Sequence, residues 1–129
     1  MILDSSAVMA ILNQEGRHDR LLEAAAGADC GISAATWVEV GIVADARSPR
    51  HGRLLDELLA ALDVEVEPVT ERHAQLARWA YRRFGHGSGS PAQLNFGDCF
   101  AYALATATGE PLLFVGDDFI HTDVPVAEY

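Results

Sequence analysis

Apolar positions in this chain alternate between short continuous runs and stripes at helical spacing. Residues 1–3 are an apolar run that stops at an acid, as a buried strand would. Residues 5–12 then repeat Ala7, Val8, Ile11 and Leu12 on one helical face. Residues 17–26 repeat Leu21, Leu22 and Ala25, and 27–29 read as a turn. A second short run, 30–33, precedes a helix reaching about residue 46, with Ser33 or Thr36 able to cap it. Pro49 marks a break. Leu54, Leu55, Leu58, Leu59 and Leu62 follow as one stripe on a helix over about 51–62. A third run covers 64–66. Thr70 caps a helix to Phe84 that turns Leu76, Ala77, Ala80, Tyr81 and Phe84 to one side.

Residues 85–95 are rich in Gly and Ser and read as a flexible loop. They follow a helix and lack the GxGxxG spacing, which argues against a dinucleotide site. Residues 97–108 are apolar nearly all round, the mark of a buried central helix, and Gly109 ends it. A fourth run covers 112–115, and 124–126 form a short fifth candidate. Short apolar strands alternating with helices predict an α/β fold. The expected form is a three-layer α/β/α sandwich with a mainly parallel sheet of four to five short strands. With 129 residues, no internal repeat and no linker, one domain over 1–129 accounts for the chain. The leucine stripe at 54–62 reads either as core or as part of a groove for a second copy or a partner.

Composition narrows the setting. No run of 18 apolar residues is present, so no membrane span is expected. The first residues lack the basic and apolar regions of a secretory signal, and a cytoplasmic protein is expected. Cys30 and Cys99 have no metal-site spacing and read as reduced, buried thiols. The net charge of −10 runs against a nucleic-acid partner at first sight. All nine basic residues are Arg, however, and they cluster. Arg47, Arg50 and Arg53 form one group, and Arg72, Arg78, Arg82 and Arg83 another. Each group is either a solvated helix face or a set of phosphate contacts, which suit the planar guanidinium.

Candidate chemistry lies in the acids at element boundaries. In an open parallel sheet, ligands bind beyond the carboxyl ends of the strands. Asp4 ends the first strand, and Asp117 and Asp118 follow the fourth. Asp98 lies in the first turn of the most buried helix. Glu39 stands among Trp37, Val38, Val40, Ile42 and Val43, either facing water or pointing inward toward a cation or donor. Each acid alone could be a cap or a turn residue. Together they would repel one another unless protonated or bridged by a cation. Oxygen ligands without His or Cys favour Mg²⁺, with Mn²⁺ as a substitute.

The same segments resemble a known family. Ile2-Leu3-Asp4-Ser5-Ser6-Ala7 resembles the start of PIN-domain nucleases. Ser33-Ala34-Ala35-Thr36-Trp37-Val38-Glu39 is similar to their second acidic segment. The run Leu94-Asn95-Phe96-Gly97-Asp98-Cys99-Phe100-Ala101 closely resembles one in VapC-type toxins. Leu112 to Phe119, with Thr122-Asp123, resembles the closing motif. The resemblance implies a single PIN-like nuclease domain over 1–129 and the toxin of a type II toxin–antitoxin pair. It implies Mg²⁺-dependent endoribonuclease activity on cellular RNA that arrests growth, a homodimer, and a VapB-type antitoxin partner. Carried over by position, the catalytic acids are Asp4, Glu39, Asp98 and Asp117. Metal ligation falls to Asp4, Asp98 and Asp117, with Ser6 and Asp118 auxiliary. The loop before Asp98 departs from similar toxins: its one basic side chain is His86.

Other classes fit less well. A phosphoacceptor receiver needs a lysine, and the chain has none. A haloacid-dehalogenase-like phosphatase needs DxD where Asp4-Ser5-Ser6 stands. A catalytically degenerate PIN-like binding module and a metal-dependent nuclease acting on DNA remain as alternatives.

Overall fold

In the computed structural model, which describes residues 1–129, neighbouring residues of the first and fourth strands face opposite cores. Ile2 and Leu112 face one apolar core; Leu3 and Leu113, their immediate neighbours, face another. A strand buried on both sides needs apolar residues at every position, and that is the pattern at 2–3 and 112–113, whereas Glu65 and Val66 at the sheet edge are exposed. The four strands are β1 (Ile2–Leu3), β2 (Gly31–Ser33), β3 (Glu65–Glu67) and β4 (Leu112–Leu113). All pair in parallel, in the order β3-β2-β1-β4. The fifth candidate strand reduces to a single bridge between Val126 and Leu112.

Six helices cover the sheet: α1 (Ser5–Asn13), α2 (His18–Ala26), α3 (Ala34–Arg47), α4 (Pro49–Ala61), α5 (Glu71–Phe84) and α6 (Asp98–Thr108). Helices α1 to α4 supply one core through Val8, Leu21, Val40 and Leu55. Helices α5 and α6 supply the other through Ala80, Phe84, Tyr102 and Leu104. The result is the expected α/β/α sandwich. No helix is long and apolar enough to cross a membrane.

Helix starts follow the cap chemistry. Ser33, Ser48 and Thr70 each accept a bond from a backbone N–H of the first turn, worth about 1 kcal/mol apiece. Pro49 opens α4 rather than only breaking the chain, because its missing N–H costs nothing in a first turn. The leucine stripe of α4 is largely core: Leu55 and Leu59 are buried, and Leu58 and Leu62 pack beside them. Gly109 ends α6 in the left-handed region, at φ 69°.

Two expectations change. Tyr81 is exposed rather than inward. The glycine-rich loop is tied down at both ends. Leu94 N–H donates to Phe84 O at 2.9 Å, and His86 N–H donates to Leu94 O at 3.1 Å. Ala92 and Leu94 are fully buried between the glycines, so two apolar anchors override the local composition.

Candidate active site

The parallel sheet sends the carboxyl ends of β1, β2 and β4 to one edge. Asp4 leaves β1 there and caps α1 at once. Its Oδ2 accepts from Ser6 N–H at 2.9 Å and from the Ser6 hydroxyl at 2.6 Å. The same hydroxyl accepts from Val115 N–H at 3.0 Å, which ties the exit of β4 to the start of α1. The other oxygen, Asp4 Oδ1, is buried and has no hydrogen-bond partner. A buried carboxylate oxygen without a donor is costly. Burial accordingly raises the Asp4 pKa, with the Ser6 bonds opposing and the Glu39 charge adding to the rise.

Asp98 opens α6 and is held by a reciprocal pair. Asn95 Oδ1 accepts from Asp98 N–H at 2.9 Å, and Asp98 Oδ2 accepts from Asn95 N–H at 2.8 Å. This is the logic of a capping box, and it fixes one carboxylate oxygen while leaving Oδ1 unbonded. Burial pushes Asp98 up to about 6, and the charges of Asp4, Asp118 and Glu39 push the same way. The four acids therefore share one electrostatic neighbourhood, although they lie far apart in sequence.

Glu39 is half-buried on α3 and turns inward, toward the start of α6. A methyl group added at Gly97 would lie 2.8 Å from Glu39 Cδ. The glycine before Asp98 thus leaves the space that the Glu39 side chain fills. Of the tandem acids, Asp118 is the one whose charge reaches Asp98. Asp117 is exposed, in the turn that Gly116 opens at φ 102°. Asp118 is exposed in the same turn, and both acids remain candidates for the fourth position. Ser6 stands where expected, against Asp4.

Asn95 and Gly97 are site residues that sequence reasoning passed over. The signal for Asn95 was present as an Asn three residues before an Asp at a helix start. Gly97 carried none, because its neighbour comes from another helix.

No three acid, His or Cys side chains converge into a closed ligand set. The donors nevertheless fit a hard cation that keeps most of its own waters. Mg²⁺ asks for only one or two carboxylates, and the partnerless Asp4 Oδ1 and the raised Asp98 are groups a cation would relieve.

Comparison with known proteins identifies the family and the fold. The model of the PIN domain family matches residues 1–125. Ribonuclease VapC28 of Mycobacterium tuberculosis is 54% identical over 126 residues, covering 96% of this chain and 95% of that protein. The crystal structure of the Mycobacterium tuberculosis toxin VapC20, described as cleaving the sarcin–ricin loop, superposes with a TM-score of 0.78 at 19% identity, covering 99% and 98% of the two chains. A toxin–antitoxin complex from Klebsiella pneumoniae superposes with a TM-score of 0.71 at 17% identity, covering 99% and 97%. The fold is that of a PIN domain. The chain belongs to the PIN-domain family and, within it, to the VapC ribonucleases.

Proposed function

We propose that this protein is a Mg²⁺-dependent endoribonuclease, the toxin of a type II toxin–antitoxin pair, which cleaves cellular RNA and so arrests growth. The observation that carries the reading is the partnerless Asp4 Oδ1 set among Glu39, Asp98 and Asp118 at the carboxyl edge of a parallel sheet. The identity to ribonuclease VapC28 over nearly the whole chain supports RNA as substrate.

Asp4 and Asp98, each with a carboxylate oxygen that the fold leaves unbonded, would hold the cation. The acid after Gly116 completes the site from the β4 side, with Asp118 favoured over Asp117. Mg²⁺, or Mn²⁺ in its place, supplies charge to the phosphate oxygens and lowers the pKa of water. Glu39 makes no ion pair, and its carboxylate is free to take the proton of the attacking water. Ser6 is not a nucleophile in this reading: its hydroxyl is committed to Asp4 and Val115. It positions Asp4. Water attacks the phosphorus in line as the bond to the leaving ribose oxygen breaks; that oxygen takes a proton from solvent, and no covalent enzyme intermediate forms.

Two partners follow. The toxin–antitoxin complex among the structural neighbours supports a VapB-type antitoxin. A homodimer would cover the apolar surface made by Val38, Ile42, Val43 and Phe96 beside Glu39, where Ile42 is 64% and Phe96 78% exposed.

The test is incubation of purified protein with total cellular RNA and MgCl₂. Cleavage is expected, with loss in EDTA and in Asp98→Asn while the fold is kept. Undiminished cleavage in either case overturns the metal reading.

A further inference from the structure

Helix α5 has a charge unlike the rest of the molecule. It carries Arg72, Arg78, Arg82 and Arg83 against one acid, Glu71, in a chain of net charge −10. Only Arg83 has a carboxylate partner, Asp123 at 3.9 Å. Arg72 and Arg82 are exposed and make no ion pair. Both point along one face of α5 into a groove of about 430 Å³ whose opposite wall is Tyr102 and Thr106 of α6. The two arginines are ten residues apart, so their positions are separated by about 15 Å along the helix.

The groove leads away from the acids. Asp98, Tyr102 and Thr106 are spaced by four and lie on one stripe of α6. The groove therefore begins about one helical turn, roughly 5 Å, from Asp98. The segment after β4 runs the same way: Asp118 acts on Asp98, and Asp123 accepts the Tyr102 hydroxyl. Asp123 is the one carboxylate in the groove, and its charge is taken up by Tyr102 and Arg83. That leaves two uncommitted guanidinium groups along a groove whose Tyr102 wall lies one helical turn from Asp98.

We propose that this groove is a secondary RNA site, in which Arg72 and Arg82 bind phosphates of the substrate strand next to the scissile position. The proposal rests on the ribonuclease reading and deepens it. Planar guanidinium groups suit phosphate oxygens, and two of them spaced along a helix follow a backbone rather than a single anion. Local positive charge also resolves how so acidic a protein approaches RNA: the field near the groove, not the total, steers the strand.

The experiment compares Arg72→Gln/Arg82→Gln with a control pair on α4, Arg50→Gln/Arg53→Gln. Binding of a fluorescein-labelled, mixed-sequence single-stranded RNA is read by anisotropy over a salt series, in the Asp98→Asn background so that the probe survives. The α5 pair is expected to weaken binding about tenfold and to shrink the salt slope by about 1.4, that is 0.7 per lost phosphate contact; the α4 pair changes neither. In the active protein with total cellular RNA, the α5 pair raises KM and leaves kcat, as loss of uniform binding does. If the unaltered protein cleaves RNA while the α5 pair matches it in binding, salt slope and KM, the groove proposal fails and the ribonuclease reading stands. If the α5 pair loses affinity for the co-expressed antitoxin but not for RNA, the proposal also fails. If the unaltered protein neither binds nor cleaves RNA, the ribonuclease reading itself has failed.

Discussion

Gly97 and Glu39 are packed so closely that the space of a side chain on one is filled by the carboxylate of the other. Gly97 is in the right-handed helical region, at φ −65°, so alanine would be at ease there on backbone grounds. Gly97→Ala therefore tests the position of Glu39 and little else. The Glu39 carboxylate is the far end of a flexible side chain and can swing aside. Stability is expected to change by less than about 1 kcal/mol, while RNA cleavage falls about 100-fold, the scale of a misplaced catalytic group. A variant that melts like the unaltered protein and cleaves at full rate would separate Glu39 from the chemistry.

The tandem acids make a second comparison. Both are exposed after β4, and the charge of Asp118 is the one that reaches Asp98. Asp118→Asn is expected to cost at least about tenfold more cleavage than Asp117→Asn, on the scale of lost ligands and their supporting groups. Single-turnover rates on the same RNA decide it, and the reverse ranking restores Asp117.

Ser6 offers a test of positioning. Its hydroxyl links Asp4 Oδ2 to Val115 N–H. Ser6→Ala removes both bonds, at about 1 kcal/mol of stability. Cleavage is expected to fall about 10-fold to 100-fold, the usual effect of removing a group that orients a ligand. Ser6→Thr keeps the hydroxyl and is expected to recover most of the rate. Equal activity in alanine and threonine variants would mean that Asp4 holds its place unaided.

Stability without metal has a distinct pH dependence. Folded Asp98 keeps its proton up to about 6, whereas its ordinary value is 3.8. Between those values the folded state binds more protons than the unfolded chain, so this group lowers stability as pH rises. Asp4, also raised, acts in the same direction. Asp98→Asn removes the Asp98 part. In EDTA, urea midpoints should show the variant gaining on the unaltered protein from about pH 4 to about pH 6.5. Parallel curves would mean that Asp98 titrates normally.

Much of this architecture could be read from the chain. Doubly buried strands have no polar alternation to disguise them, and their spacing between amphipathic helices left little choice but a parallel sheet. Asp4 was legible because it stands directly at a strand end. What escaped depended on contacts between distant segments. Glu39 had two readings until α3 was seen against the start of α6. The choice between Asp117 and Asp118 turns on which carboxylate comes nearer Asp98, which two adjacent letters cannot express. The loop at 85–95 misled for the opposite reason: its glycines speak for freedom, while Ala92 and Leu94 bind it to the core.

The strand order also has a consequence in time. Strand β1 holds the second and third residues, and its neighbour β4 holds Leu112 and Leu113. The amino terminus itself is clasped by Glu110, at 2.7 Å. Asp4 has no wall on one side until Leu112 and Leu113 have paired with β1. The acidic edge cannot close around anything before then. Assembly of the site thus waits on the pairing of segments about 110 residues apart, and a chain in which they have not met carries its acids without a site.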